Sequence, residues 1–220
     1  MDAELLSKVA PDAQLNMMDA ATERPQLAIL AAQIIADFTQ AEAQLLATVS
    51  AFLKQDFRVV AEMVLAVNNP RARREAILAA ARYTLGKEDY GLVKGAMKIF
   101  NVCRDHRNHW AHDIWGWSPE LPDALLLMEA AYFHQFDAEI KEAEPRLLAG
   151  RPAGVTFDRS HVRVYTEPVI RYQLQALSET QETLEELRVY FDFGTDAGDH
   201  IRLAILDSPS LQRIRQHTTP

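Results

Sequence analysis

The first half of the chain carries apolar residues at three- and four-residue spacing, which is the repeat of an amphipathic α-helix. Pro25 stands where proline is tolerated, in the first turn of a helix. The pattern predicts a long helix over residues 25–54, preceded by an irregular or short helical segment. Its apolar positions are Leu27, Leu30, Ile34, Phe38, Leu45, Val49 and Phe52.

Three further helices are predicted from the same spacing. Asp56 is a residue type that caps helix N-termini, and the helix that follows it ends before Asn68-Asn69-Pro70. A third helix covers about 71–85, with Gly86 as its C-cap. A fourth begins near Glu88. Its apolar stripe is predicted to contain Tyr90, Val93, Met97, Phe100 and Arg104, continued by Arg107 and Ala111.

The pattern changes after the fourth helix. Residues 115–119 contain Gly and Pro and predict a turn or loop. The apolar run 124–128 is compatible with a strand or with the start of a helix, and the alternating, β-branched run 162–166 predicts a strand. These two runs are expected to pair as a small antiparallel ribbon, with a helix over 130–145 and a Gly/Pro loop between them. A last helix is predicted for 167–191.

These elements predict a mainly α protein. Residues 25–117 form an antiparallel helical bundle, and residues 118–192 form a C-terminal extension that packs on the bundle and contains the small β-ribbon. Residues 1–24 are a lead-in to the bundle. Residues 193–220 are a polar tail.

The composition and the N-terminal charge predict the cellular compartment. The chain has one cysteine, Cys103, which excludes an intrachain disulfide framework and fits a reducing cytosol. The N-terminus is acidic where a secretory signal needs positive charge, and no apolar run approaches the length of a membrane span. We therefore expect a soluble, cytoplasmic protein without a membrane partner.

Charge is unevenly distributed along the sequence. The net charge is −8, yet residues 71–107 hold nine basic and four acidic side chains. Such a segment can contact a phosphate backbone, or it can be a set of solvated helix faces. Charge alone leaves both interpretations open. If the segment binds RNA, the candidate contacts are Lys94, Lys98 and Arg104.

The stretch from Arg104 to His112 contains three of the seven histidines. Histidine is the side chain most easily used to move protons near neutral pH. Asp105, Asn108, His109 and His112 lie at i, i+3, i+4 and i+7 and therefore share one polar face of the predicted helix. Arg107 projects beside this face, and its long side chain can swing toward His112.

The core of this stretch is Arg107-Asn108-x-x-Ala111-His112. It resembles the motif of the HEPN superfamily, in which an Arg is followed after four to six residues by a His, commonly with Asn, Asp or His next to the Arg. The resemblance covers about residues 25–115 and implies a small helical bundle. Many members of that superfamily are metal-independent endoribonucleases that act as homodimers, with the two motifs facing each other across a cleft.

The resemblance implies a role for each matching residue. His112 would be the acid or base acting on the ribose 2′-hydroxyl or the leaving oxygen. Arg107 would stabilise negative charge on the phosphate, and Asn108 would position the phosphate or orient Arg107. Asp105 and His109 are auxiliary candidates that the family pattern does not require. No cofactor or metal is implied, and the expected partners are RNA, a second copy of the chain and an antitoxin or regulatory protein.

Other interpretations remain open at this point. His106, His109 and His112, or Asp105 with the last two, have the spacing of metal ligands on one helix. The same residues are compatible with a buried polar network that fixes helix packing. Cys103 is either a nucleophilic thiol or a small apolar core residue. Some relatives of this family type are non-catalytic dimeric modules. One toxin branch has Tyr two residues after the His, and Ile114 occupies that position here.

Overall fold

Helices make up most of the chain, as the apolar spacing predicts. The computed structural model describes residues 3–148 and 156–193, together with the single residues 207, 209 and 212. Within these residues the fold is mainly α with a small antiparallel sheet. The helices are α1 Leu6–Val9, α2 Ala20–Glu23, α3 Pro25–Leu53, α4 Phe57–Leu65, α5 Pro70–Thr84, α6 Lys87–His112, α7 Ala130–Leu148 and α8 Glu167–Asp192; the strands are β1 Glu4–Leu5, β2 Ile114–Gly116, β3 Ala124–Met128 and β4 Val162–Thr166.

Local capping explains where the predicted helices begin. The Asp56 carboxylate accepts a hydrogen bond from the Arg58 backbone N–H at 2.8 Å. This satisfies one of the N–H groups that lack a partner in the first turn. The predicted C-cap at Gly86 is wrong. The chain leaves α5 at Leu85, whose backbone is extended, so the helix ends before a left-handed glycine is needed.

The buried stripe of α6 differs from the predicted one near its end. Cys103 and Trp110 are buried, whereas Arg104 is half-buried and Ala111 is exposed. The predicted stripe used alternating steps of three and four residues, which is a period of 3.5. An α-helix has 3.6 residues per turn, so such a stripe drifts by about 20° per heptad. Over three heptads the drift moves Ala111 off the buried face and brings Trp110 onto it.

The chain divides into two compact units. The first, here called the sheet unit, comprises 1–35 and 106–174; the second, the helical unit, comprises 36–105 and 175–220. Helices α3, α6 and α8 each contribute residues to both. The domain boundaries predicted from the sequence, at residues 24, 117 and 192, stay predictions.

The sheet has the order β1-β4-β3-β2, and its neighbouring strands are antiparallel. The predicted ribbon is confirmed, because β3 pairs with β4 along five residues from Ala124↔Thr166 to Met128↔Val162. The prediction of a loop at 115–119 is wrong at its start, since Trp115 and Gly116 belong to β2. Strands β1 and β2 contain only two and three residues, which is too short for an alternating pattern to be recognised.

Residues on the two faces of the sheet have different environments. One face carries the buried side chains of Leu126, Met128, Val162 and Val164, which cluster with Leu6. On the other face lies a row of directly opposed residues, since Trp115 pairs with Leu127 and Leu127 with Arg163. Opposed residues of antiparallel strands point to the same side. Trp110 of α6 packs on this second face, with its ring centroid 4.6 Å from that of Tyr165.

An N-terminal segment runs beside β2. Asn16 and Trp117 exchange two backbone hydrogen bonds of 3.0 and 2.8 Å. A Cβ atom at Gly116 would lie 2.6 Å from Met17 Sδ and 2.8 Å from the Asn16 carbonyl oxygen. Glycine at this position therefore permits the two backbones to approach each other.

Among the described residues no helix is both long enough and apolar enough to cross a membrane. The predicted Gly/Pro loop (Gly150, Pro152, Gly154) lies outside those residues. The predicted polar tail does too, except for Phe193 and three single positions.

Candidate active site at the end of helix α6

The three motif residues lie in the last two turns of α6. The Arg107 guanidinium donates from Nη1 to Asn108 Oδ1 at 3.1 Å, and both side chains are half-buried. His112 is the final residue of the helix and is exposed. The arginine of the motif is therefore oriented by its neighbour, and the imidazole of the motif is reachable from solvent.

The other candidates on α6 that precede the motif belong to the helical unit. Lys94 and Lys98 are exposed, so their ammonium groups are available to a ligand. Arg104 is half-buried and donates from Nη2 to Asp105 Oδ1 at 3.2 Å. Asp105, an auxiliary candidate, is thus an exposed partner of a basic side chain.

Both ring nitrogens of His109 have a hydrogen-bond partner. Nδ1 lies 2.8 Å from Asp113 Oδ2, and Nε2 lies 2.7 Å from Arg163 Nη1. A guanidinium can only donate, so His109 Nε2 must accept through its lone pair. The ring hydrogen is then on Nδ1, where it is donated to Asp113. The hydrogen bonds therefore assign a neutral imidazole whose tautomer is fixed by the carboxylate.

The polar contacts continue across the sheet from Arg163. Its Nη2 lies 3.6 Å from Glu129 Oε1, and Glu129 Oε2 lies 3.3 Å from His161 Nδ1. The His161 ring stacks on Tyr132 with centroids 4.2 Å apart and planes 15° apart. We call Asp113, His109, Arg163, Glu129 and His161 the polar network.

Asp158 stands at the far end of the polar network, with its Oδ2 3.7 Å from His161 Nε2. The Ser160 backbone N–H donates to the Asp158 carboxylate at 2.9 Å. This hydrogen bond, with a further contribution from the Ser160 side chain, lowers the pKa of Asp158. Asp158 therefore stays charged over a wider pH range than a free carboxyl.

Four members of the polar network were not identified from the sequence. Asp113 lies four residues after His109, which is a spacing that brings side chains together on a helix, so this contact had a local signal. Arg163 is the charged residue in a strand whose neighbours Val162 and Val164 are buried, which is a weaker signal. Its contact with His109 joins residues 54 positions apart. No local spacing rule predicts such a pair.

Trp110 fixes the last turns of α6 on the sheet. Its indole Nε1 donates to Gln173 Oε1 at 2.8 Å, and both residues are buried. The Trp115 indole in turn donates to the Trp110 carbonyl at 2.9 Å. Because His109 is adjacent in sequence, these contacts also determine where its imidazole stands.

Two alternative chemistries find no support at this site. Among residues 3–148 and 156–193, no group of three or more His, Cys, Asp or Glu side chains is arranged to hold a metal ion. Neither His106, His109 and His112 nor Asp105, His109 and His112 form such a group. Cys103 is buried beside Thr180, and this burial raises the pKa of its thiol, which disfavours the nucleophilic thiolate.

A pocket of about 500 Å³ lies elsewhere in the sheet unit, at the starts of α3 and α8. Arg24, Leu27, Thr166 and Pro168 are among its lining residues. None of the candidate residues predicted from the sequence contributes to it. The last turns of α6, rather than this pocket, remain the candidate site.

No protein-family model, curated protein or solved structure matches the chain. The family resemblance therefore depends on residues 107–112 and on the order of the preceding helices, and it stays a prediction.

Proposed function

We propose that this protein is a metal-independent endoribonuclease of the HEPN type. The proposal rests on the contacts and the solvent exposure of the motif residues in the folded chain. Arg107 is hydrogen-bonded to Asn108, and His112 is exposed at the end of α6. If Arg107, Asn108 and His112 served only to fix helix packing, we would expect His112 to be buried, whereas it is exposed to solvent.

These groups suit phosphodiester cleavage because RNA supplies its own nucleophile, the ribose 2′-hydroxyl. Such a reaction needs an imidazole that transfers a proton and a cation that stabilises charge on the phosphate. We assign the first role to His112 and the second to Arg107, with Asn108 orienting the guanidinium. The exposed side chains of Lys94 and Lys98 are candidate contacts to flanking phosphates.

The test compares wild type with His112→Ala on structured RNA in the presence of EDTA. His134→Ala is the matched control, because His134 is an exposed histidine on a different helix, α7. We expect chelator-resistant cleavage that falls by about 10²- to 10⁴-fold in His112→Ala. The control should retain wild-type activity. Cleavage that EDTA abolishes would instead require a metal, and absence of cleavage by wild type would contradict the proposal.

A non-catalytic dimeric interaction or regulatory module is the second candidate. The observation that favours it is exposed apolar surface on α4 in the helical unit, where Val59 and Met63, four residues apart on the helix, are 57% and 55% exposed. Exposed apolar surface of this kind is typical of protein–protein contacts. Light scattering tests the dimer that both candidates require, because a strictly monomeric mass would contradict a composite active site and a dimeric module alike. The cleavage assay in EDTA separates the two candidates.

The biological setting is part of the same proposal. A ribonuclease of this type would act in the cytoplasm, as a toxin or in phage defence, under control of an antitoxin or regulatory protein. A homodimer is the assembly in which two motifs would share one cleft.

A further inference from the structure

We propose that His109 is a second proton-transfer residue of this site and acts as the general base. Asp113 is its positioning residue, and Arg163 is a cation that moves from His109 to the scissile phosphate. The inference rests on the proposed ribonuclease function. It adds a residue from β4 to a site that the motif confines to α6.

The resting hydrogen bonds prepare His109 for this role. The contact with Asp113 at 2.8 Å leaves the lone pair on Nε2, which is the form a base needs. When Nε2 takes a proton, the carboxylate on the opposite side of the ring stabilises the imidazolium that forms. About a third of the His109 side chain is exposed (33%), so the ring is accessible to substrate.

Arg163 is the group that a bound phosphate can draw away. Its Nη1 donates to His109 Nε2 at 2.7 Å. Its other partner among the described residues, Glu129, lies 3.6 Å away, and the Glu129 side chain is 43% exposed. A phosphate offers a bidentate, charge-assisted acceptor, which is stronger than a bond to a neutral imidazole. Substrate binding therefore exposes the Nε2 lone pair and supplies a cation to the phosphate in one step.

The positions of the two histidines fit the two sides of the reaction. His109 and His112 are three residues apart on α6, a spacing that places Cβ atoms roughly 5–6 Å apart on a helix surface. Attack by the 2′-oxygen and departure of the 5′-oxygen occur on opposite sides of phosphorus. One imidazole can thus serve each oxygen.

The step balances without a cofactor or an oxidant. His109 Nε2 removes the proton of the 2′-hydroxyl as the 2′-oxygen–phosphorus bond forms. The phosphorus–5′-oxygen bond breaks, and protonated His112 gives its proton to the leaving oxygen. The products are a 2′,3′-cyclic phosphate and a 5′-hydroxyl. Proton exchange with solvent returns the two imidazoles to their starting states.

The test uses two RNA oligonucleotides of the same sequence. One is unmodified, and the other carries sulfur in place of the 5′-bridging oxygen, which makes a leaving group that needs no proton. We expect His109→Gln to cleave both substrates about 10²-fold or more slowly than wild type. We expect His112→Ala to be slow on the oxygen substrate and to recover on the sulfur substrate. His134→Ala is again the control.

Asp113→Asn tests the positioning role on the same pair of substrates. It keeps the size of the side chain, so we expect an intact fold by circular dichroism. The rate should fall on both substrates, and the acidic limb of the kcat/KM–pH profile should shift as the basicity of His109 falls. A merely structural role would lower the rate without moving this limb. Asp113→Asn also keeps the proposal testable if His109→Gln does not fold.

The failures of the two proposals are distinguishable. If His109→Gln and Asp113→Asn cleave like wild type while His112→Ala does not, the role of His109 is overturned and the ribonuclease function stands. If sulfur rescues His109→Gln instead of His112→Ala, the assignment of base and acid is overturned. If wild type cleaves neither substrate, the proposed function and this inference both fail.

Discussion

Gln173 accepts a hydrogen bond from the Trp110 indole in a region that water does not reach. The two side chains are 4% and 1% exposed, and the bond between them is 2.8 Å long. Gln173→Leu removes the acceptor while keeping a similar side-chain volume. Trp110→Phe removes the donor. The two changes and their combination form a double-mutant cycle that measures this one interaction.

The structure gives the size of the expected coupling. Each single change leaves a buried polar group without its partner, at a cost of about 1–3 kcal/mol. Trp110→Phe also loses part of the packing against Tyr165 and Trp115. The double variant leaves no orphan on either side, so we expect it to be less destabilised than the sum of the singles by about 2 kcal/mol.

Urea unfolding followed by far-UV circular dichroism is the assay. Tryptophan fluorescence is unsuitable because one variant removes a tryptophan. With a denaturant slope of about 3 kcal/mol per molar, a coupling of about 2 kcal/mol separates the observed midpoint of the double variant from the additive one by about 0.7 M. The slope itself should be unchanged if the native states have the same compactness.

Additive single effects would refute this reasoning. If the double variant matches the sum of the singles within about 0.5 kcal/mol, the hydrogen bond contributes nothing specific to stability. The last turns of α6 would then be fixed on the sheet by packing alone.

Three further predictions concern single positions. Gly116→Ala should destabilise the protein by about 1–3 kcal/mol, because the added Cβ would lie 2.6 Å from Met17 Sδ. The control is Gly91→Ala in helix α6, where a Cβ meets nothing within 4 Å, and it should stabilise the protein by about 0.5–1 kcal/mol. Thermal unfolding of the two variants measures both effects. The buried thiol of Cys103 should resist alkylation by iodoacetamide in the native protein and react in urea, and fast native labelling, measured by mass spectrometry, would contradict its burial. The hydrogen-bonded Arg188 lowers the pKa of Glu185 from 4.5, so the charged carboxylate stabilises the fold above that pH and this contribution is lost as the pH falls. Glu185→Gln should therefore be less stable than wild type by up to about 1 kcal/mol at neutral pH and equally stable in acid, as measured by urea unfolding. A stability difference that persists in acid would refute the ionic origin.

Long, regular apolar spacing made most helices predictable. Helices α3 and α8 span 29 and 26 residues, and over such lengths the 3.6-residue period is repeated many times. The pairing of β3 with β4 was also predictable, because the run 124–128 is apolar and the run 162–166 alternates and is β-branched. Strands β1 and β2 were not, since two or three residues form strands here only because a neighbouring strand offers hydrogen bonds.

The candidate site was predictable only where its contacts are local. The bond between Arg107 and Asn108 joins adjacent residues, and the pairing of His109 with Asp113 follows from one helical turn. The hydrogen bond from Arg163 to His109 depends on how the end of α6 lies on the sheet. That arrangement is set by the buried Trp110 and Tyr165, and no pattern in either segment alone contains it.

The order of strands in the sheet pairs a strand that is synthesised early with one that is synthesised much later. Strand β1 pairs with β4, so the backbone of Leu5 can form its strand hydrogen bonds only after Arg163 has been synthesised. At about 5–20 residues per second, the intervening stretch takes about 8–30 seconds to translate. During that interval the first strand has no native partner, and afterwards it covers an edge of β4 that would otherwise be open to pairing with another chain. Strand β1 is thus synthesised well before the strand that pairs with it, and the sheet is complete only after β4 has left the ribosome.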